Sequence, residues 1–241
     1  MKKILTTAIL CAGLVGFTAC DSFLDEEPKS SLTLDTYYKT SADIIGNVNY
    51  LYRDGAPDKM GNMTGAYRGS SLSVMNMVTG YFVNEYEGQE VDCSYARQLT
   101  RQNFTQSCCN YLTNDTWKGC YKSINVANAV IKYVDGVEMD GQAQYKAEAR
   151  FFRALNYFYL VKMFGDVPMI TEPTEDATLV EYPARTAASE VYKTVIIPDL
   201  QFAVENLPDA TFAGNSHRVT KYAADMLLAD VYMRLGEYAN A

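Results

Sequence analysis

The hydrophobic pattern is strongest between Ala147 and Ile170, in the stretch AEARFFRALNYFYLVKMFGDVPMI. At about 3.6 residues per turn, its apolar side chains fall on nearly every side of a helix, which is typical of a helix packed by neighbours on several sides. The pattern therefore predicts the central helix of the fold. We expect this helix to end at Phe164-Gly165, where glycine can adopt a left-handed cap, because Pro168 bars any continuation.

Periodicity predicts further helices on both sides of the central one. Their ranges are Thr36 to Tyr52, Thr116 to about Val134, Ala187 to Ile197 with a continuation from Asp199 to Leu207, and Thr220 to Leu235. Asn114 or Asp115 is the expected cap of the second helix, and Thr186 that of the third. Pro198 either kinks the third helix or starts a new one. A helix over Ser70 to Val83 is also compatible with the pattern.

The helix from Thr116 carries a single seam at alternating spacings of four and three residues. The seam consists of Trp117, Tyr121, Ile124, Asn128 and Ile131. Asn128 should be buried there and should need hydrogen-bond partners. Asp135-Gly136 and Asp140-Gly141 mark a turn into the central helix, so we expect the two helices to pack antiparallel as a hairpin.

The segment between residues 54 and 110 has a different character. Its six glycines and short apolar pieces predict irregular structure, which in a compact domain is usually functional or disordered. Sugars are held by aromatic faces, planar amides and charged groups. The candidate ligand contacts here are Tyr81, Tyr86, Tyr95, Arg97 and Asn103. Packing of these tyrosines onto the helices is the alternative for each.

The N-terminus is typical of a secretory signal, with two lysines before an apolar run that is shorter than the roughly 20 residues of a membrane-spanning helix. Phe17-Thr18-Ala19-Cys20 resembles a lipobox, in which the cysteine is acylated and the leader is cut before it. We expect residues 1–19 to be the signal peptide, residues 20–35 a lipidated tether and residues 36–241 the helical domain. The alternative is an ordinary cleavage site with an incidental cysteine.

Charge and motifs limit the chemistry. With 21 basic and 29 acidic residues, the net charge of −8 argues against nucleic acid, which requires a basic footprint. The acidic cluster of Glu85, Glu87, Glu90 and Asp92 is better explained as a solvated loop than as the paired carboxylates of a glycosidase. The sequence has no GxSxG motif and no phosphate-binding glycine loop, and His217 is its only histidine. These features favour a binding protein without a cofactor over an enzyme.

Four cysteines remain when Cys11, in the leader, and Cys20 are set aside: Cys93, Cys108, Cys109 and Cys120. In an oxidising compartment they allow three full disulfide connectivities. A bridge between the adjacent Cys108 and Cys109 is the least favoured, because neighbours rarely meet disulfide geometry. The absence of paired CxxC spacing disfavours a zinc site.

The central stretch and three further ones resemble the SusD/RagB family of outer-membrane lipoproteins. The further stretches run from Trp117 to Asn128, from Arg185 to Pro208 and from Arg218 to Ala241, in the family's order and spacing. The resemblance implies a mainly α fold: a SusD-like helical body with tetratricopeptide-like helix pairs, irregular loops and few short strands. The last helix has tetratricopeptide spacing, and its apolar residues, Val231 among them, would lack a repeat partner. The chain thus resembles the front half of a longer protein.

The same resemblance implies a function. Family members capture nutrients at the surface of glycan-using Gram-negative bacteria. The resemblance also implies a partner, a SusC-like TonB-dependent outer-membrane transporter. We expect a lipid-anchored protein at the cell surface that binds an oligosaccharide without cleaving it and delivers it to that porin. Two alternatives stay open: a peptide-binding relative of RagB type, and a helical-repeat scaffold of the transporter with no ligand contact of its own.

Overall fold

The computed structural model describes residues 33–54, 76–82, 97–175 and 183–241. The helices in these ranges are α1 (Leu34–Tyr37), α2 (Ser41–Asp54), α3 (Gln106–Tyr133), α4 (Gln142–Phe164), α5 (Ala188–Val191), α6 (Ile197–Asn206) and α7 (Lys221–Leu235). A 3-10 turn at Val134–Gly136 follows α3, and a π-helical turn at Tyr192–Ile196 joins α5 to α6. Strand β1 (Val167–Pro168) pairs antiparallel with β2 (Arg185–Thr186). The described part of the chain is mainly α, which confirms the predicted fold class.

The helix α4 is the centre of the fold, as its apolar pattern predicts. It packs against α2, α3 and α6, and Tyr157 and Leu160 on it are completely buried. It ends at Phe164, and Gly165 follows with a φ of 68° and donates its N–H to the carbonyl of Val161 at 3.1 Å. A positive φ suits glycine because it has no Cβ.

The helices α3 and α4 form the predicted antiparallel hairpin. The ring of Trp117, in α3, lies 5.0 Å from that of Phe164 at the end of α4. At the opposite end, Nε2 of Gln142 donates to the carbonyl of Val134 at 2.8 Å. The start of α3 was predicted wrongly, because the helix begins at Gln106 and runs through Asn114 and Asp115. Residues of these two types favour caps intrinsically, but here the backbone remains helical through them.

The first predicted helix is interrupted. The chain forms α1, leaves the helical conformation at Tyr38 and begins again with α2. The carboxylate of Asp43 fixes this break, since its Oδ2 accepts hydrogen bonds from the N–H and the hydroxyl of Thr40 at 2.8 and 2.6 Å. These bonds lower the pKa of Asp43. One face of α2 packs into the core, with Ile44, Val48 and Leu51 fully buried.

Thr186 does not cap a helix as predicted, because it lies in β2 and Ala187 occupies the N-cap position of α5. The missing side-chain cap comes from a distant residue: Oδ1 of Asp166 accepts the N–H of Ala188 at 2.9 Å. Pro198 lies in the first turn of α6, directly after the π-helical turn. The backbone stays helical from Ala188 to Asn206, so the proline follows a local change of helix type and does not start a separate helix.

The helix α7 presents two different faces. Ala224 and Val231 are fully buried against the body, so Val231 does not lack a packing partner as the sequence suggested. Exposed apolar side chains occupy other positions of the helix, namely Tyr222, Met226, Met233 and Leu235. Among the described residues, no helix combines the length and the apolar character that crossing a membrane would require.

A buried polar network joins three helices. On α4, Arg153 donates from Nε and Nη2 to the two carboxylate oxygens of Asp199 on α6, at 2.6 and 2.9 Å. Its Nη1 donates to Oδ1 of Asn128 on α3 at 2.9 Å. The amide nitrogen of Asn128 donates in turn to the carbonyls of Ile170 and Glu172 at 3.0 and 3.2 Å. Asn128 is therefore buried and fully partnered, as predicted, and it holds the segment that follows β1.

A second buried carboxylate, Glu148 of α4, binds Arg218 in the segment that leads into α7. Its carboxylate accepts a hydrogen bond from the Tyr52 hydroxyl at 2.9 Å. It also accepts hydrogen bonds from the guanidinium of Arg218, whose Nε lies 2.9 Å from Oε1. The guanidinium of Arg218 lies over the rings of Tyr52 and Tyr145, at 4.9 and 5.3 Å from their centroids. The cluster therefore links α2, α4 and the residues that lead into α7.

Cys120, on α3, is a free thiol with no exposed surface. Each of the three full connectivities of the four cysteines includes Cys120, so none of them is formed. Burial raises the pKa of this thiol to about 12.

We predict that replacing Asp199 with Asn lowers the free energy of unfolding by about 3 to 5 kcal/mol, because the buried guanidinium of Arg153 loses its counter-charge. Urea denaturation followed by circular dichroism measures the change. Glu190→Gln, on the exposed side of α5, is the control and should shift stability by less than about 0.5 kcal/mol. Equal stabilities of the two variants would contradict the role given to the network.

We also predict that Cys120 resists iodoacetamide in the folded protein at about pH 8, because the thiolate is the reactive form and burial suppresses it. The same thiol should react in urea. Peptide mass spectrometry reports its alkylation separately from that of the other cysteines. Rapid labelling of Cys120 under native conditions would show that its site opens to solvent.

Candidate functional site

The first part of the candidate site is the turn at residues 76–82. Only Asn76 and Met77 are helical there, so the helix suggested for Ser70 to Val83 has already ended at Met77; the positions before Asn76 lie outside the described residues. The turn is closed by Thr79, whose N–H and hydroxyl donate to the carbonyl of Asn76 at 3.1 and 2.7 Å. Gly80 then takes a φ of 80°.

The second part is the segment at residues 97–105, which leads directly into α3. Leu99 is buried and anchors it. Gln102 has a φ of 53°, an uncommon left-handed conformation for a residue with a side chain. The chain reverses there, so that the N–H of Asn103 donates to the carbonyl of Gln98 at 2.9 Å. The Thr105 hydroxyl lies 2.9 Å from Oε1 of Gln98 and closes the turn.

The two parts meet where the Thr100 hydroxyl donates to the sulfur of Met77 at 3.7 Å. Tyr81 follows Met77 by four residues and Asn103 follows Thr100 by three. At up to about 3.6 Å per residue, each lies within roughly 15 Å of chain from the junction. We group these two parts, which touch at this contact, as the aromatic turn surface and define it as residues 76–82 and 97–105.

The aromatic turn surface exposes apolar rings. Tyr81 is 90% exposed, Phe82 52% and Phe104 54%. Burying aromatic surface is favourable, so rings held out in water on a hydrogen-bonded turn are free to stack on a ligand. Arg101 and Asn103, also exposed, supply a guanidinium and a planar amide close to them in sequence.

The structure separates the predicted contacts into two groups. Tyr81 and Asn103 are exposed on this surface, and Arg97 lies on it half-buried. Tyr86 and Tyr95, like Cys20, lie outside the described residues. Sequence reasoning did not select Phe82 and Phe104, although large aromatic rings within a polar, glycine-rich segment were a usable signal for them.

Several aromatic residues of the helical body serve packing. The ring of Trp117 contacts Tyr121 and Phe164, both at 5.0 Å between centroids, and the guanidinium of Arg185 lies over it at 5.5 Å. The hydroxyl of Tyr157 donates to the carbonyl of Ile170 at 2.8 Å inside the core. These rings pack within the body, whereas Tyr81 is 90% exposed, so the packing alternative does not hold for Tyr81.

The described ranges give little support for side chains that bind a metal or act as a catalytic base. They contain no group of three or more His, Cys, Asp and Glu side chains suited to a metal ion. The histidine His217 lies in an exposed turn, and its ring contacts that of Phe212 at 5.2 Å. The acidic stretch from Glu85 to Asp92 lies outside the described residues. The aromatic turn surface itself offers stacking and hydrogen bonding, which are binding interactions.

Comparison with known proteins identifies the family. The model of a family described as "SusD-like_3: Starch-binding associating with outer membrane" matches residues 22–233. The chain therefore belongs to the SusD-like family, and the resemblance noted in the sequence is confirmed.

Individual relatives agree with this assignment. SusD-like protein P2 of Formosa agariphila is 30% identical over all of this chain and 45% of its own length. A solved laminarin-binding SusD-like protein has a TM-score of 0.67 and 25% identity, with 85% of this chain and 42% of that one covered. A structure described with a xylogluco-oligosaccharide has a TM-score of 0.55 and 26% identity, over 78% of this chain and 34% of that one. The chain spans less than half the length of these relatives.

Proposed function

We propose that this chain is part of a cell-surface lipoprotein that captures an oligosaccharide and delivers it, uncleaved, to a SusC-like TonB-dependent transporter in the outer membrane. Membership of the SusD-like family, whose description is starch-binding and outer-membrane-associated, supports the class. The observation that carries the ligand chemistry is the exposure of Tyr81, Phe82 and Phe104 in the two segments of the aromatic turn surface.

Stacking explains why such rings suit a sugar. The apolar C–H face of a pyranose covers an aromatic ring, while exposed amides and guanidinium groups bond its hydroxyls. On an open surface these contacts give modest affinity, on the order of micromolar to millimolar. Modest affinity suits a protein that must release its ligand to a partner, because the ligand has to dissociate before it can be passed on.

The relatives suggest which sugar to test first. One solved neighbour is named for laminarin and another is described with a xylogluco-oligosaccharide. Both are glucans or built on a glucan backbone, so we take a glucan oligosaccharide as the first probe for this protein.

The anchor is the second component of the proposal. Phe17-Thr18-Ala19-Cys20 has the form of a lipobox after a short apolar leader. A diacylated or triacylated Cys20 would hold the protein durably at the membrane, because two or more acyl chains anchor where one does not. Capture would then occur next to the transporter.

We predict that Tyr81→Ala and Phe104→Ala each weaken glucan binding by about 5- to 30-fold in calorimetry with the intact protein. The loss of one stacking platform costs roughly 1 to 2 kcal/mol from the apolar area it buries. Tyr238→Ala is the matched control, since Tyr238 is 76% exposed but lies beyond α7. Parent-like affinity in both surface variants, with the fold intact, would refute this site.

Cleavage is tested in the same samples. Chromatography of the oligosaccharide after prolonged incubation should show its chain length unchanged. Shortened products, formed by protein free of contaminating hydrolase, would overturn the non-enzymatic part of the proposal.

For the anchor, we predict that Cys20→Ala moves the protein from the membrane fraction to the soluble fraction of the cell. The reason is the loss of the only thiol that the lipobox would acylate. Mass spectrometry of the parent should find an acylated Cys20 at the mature N-terminus. An unmodified terminus at another residue would contradict the anchor.

A further inference from the structure

A groove opens where the start of α2 meets the turn between α3 and α4. Its lining residues are Ser41, Ile45, Glu138, Met139, Asp140 and Tyr145. Its volume is about 590 Å³, which is within the range of about 300 to 1,000 Å³ typical of ligand sites.

The groove is far from the aromatic turn surface. That surface leads into the first residue of α3, whereas the groove follows the last turn of the same helix. A helix of 28 residues is about 42 Å long at 1.5 Å per residue. The two sites therefore lie at opposite ends of α3, and one glycan segment in the first would not reach the second.

The walls of the groove are held in place before any ligand arrives. Nε2 of Gln142 donates to the carbonyls of Val134 and Val137 at 2.8 and 3.0 Å, which fixes the turn that carries the acidic residues. The ring of Tyr145 is fixed from within by the guanidinium of Arg218, 5.3 Å from its centroid. Preorganised walls lower the cost of binding.

The lining combines an apolar floor with an acidic rim. Ile45, Met139 and Tyr145 are half-buried, while Glu138 and Asp140 are exposed. Within the described ranges, neither carboxylate has an ion-pair partner, although the nearby Asp135 is paired with Lys146. Among the described residues, the groove thus presents two carboxylates without an ion-pair partner beside an apolar surface.

We propose that this groove docks a lysine or arginine side chain from an extended segment of a partner protein. Both side chains carry an apolar stem with a cationic head. The stem would cover Ile45 and Met139, and the head would pair with Glu138 and Asp140. Arginine fits better than lysine, because its planar guanidinium binds carboxylates bidentately. A neutral sugar would leave both charges uncompensated, and an anion would be repelled.

The test uses a defined probe, the peptide acetyl-Leu-Arg-Leu-amide, and its citrulline analogue, which keeps the shape and loses the charge. Amide shifts in the NMR spectrum of the full chain locate binding, and their dependence on peptide concentration gives the Kd. We expect saturable shifts at residues 138–145 with the arginine peptide and none with the citrulline peptide. The double variant Glu138→Gln, Asp140→Asn should weaken binding at least about 5-fold.

A control variant separates docking from general attraction to an acidic protein. Glu205→Gln with Asp225→Asn removes two exposed charges from α6 and α7, so it changes the net charge equally. This variant should bind the peptide like the parent. Equal losses in the two double variants would overturn the proposal.

Three other results would also overturn it: no saturable shift up to about 10 mM peptide, equal binding of the citrulline peptide, or shifts located away from residues 138–145. Saturation of the groove by a neutral oligosaccharide or by calcium, with no response to the arginine peptide, would assign it to another ligand. The proposal does not rest on glycan binding, so loss of binding in Tyr81→Ala leaves it unaffected.

Discussion

The fold depends on the ion pair that Arg153 and Asp199 form inside it. A buried pair of this kind adds little net stability compared with apolar residues of the same size, because desolvation offsets the attraction. Its geometry is what matters here. A planar guanidinium that bonds both Asp199 and Asn128 can make these three hydrogen bonds together only at one relative placement of α3, α4 and α6. Burial raises the pKa of Asp199, and the hydrogen bonds from Arg153 oppose that rise.

The positions of both surfaces proposed for binding depend on this placement of α3. The helix α3 carries the aromatic turn surface before its first residue and the docking groove after its last turn. Because Asn128 fixes α3 against α4, both surfaces are set by the same buried contact. The side chains proposed for binding lie on turns, where exposed positions tolerate change, while the scaffold beneath them is packed. The arrangement allows ligand specificity to vary without a change in the core.

Sequence reasoning succeeded where the chemistry was local and failed where it was not. The apolar girth of α4, its end at Gly165 and the burial of Asn128 follow from periodicity and from side-chain type. The cap of α5 could not be predicted, because it comes from Asp166, far back in the chain. At the candidate site, composition suggested Tyr81 and Asn103, and the structure shows both side chains exposed. The exposure of Phe104 follows the turn at Gln102, whose positive φ no sequence pattern predicted.

The cluster around Glu148 has a consequence for the order in which the protein is built. The Tyr52 hydroxyl bonds both Glu148 and the backbone N–H of Val219, which is 167 residues away in the chain. Glu148 has no exposed surface, and its cationic partner Arg218 is synthesised long after α2. A carboxylate is costly to bury as an ion without its partner. Burial of Glu148 as an ion therefore requires Arg218, so we expect a chain emerging gradually from a ribosome or a translocon to complete this part of its core only after residue 218 has been made.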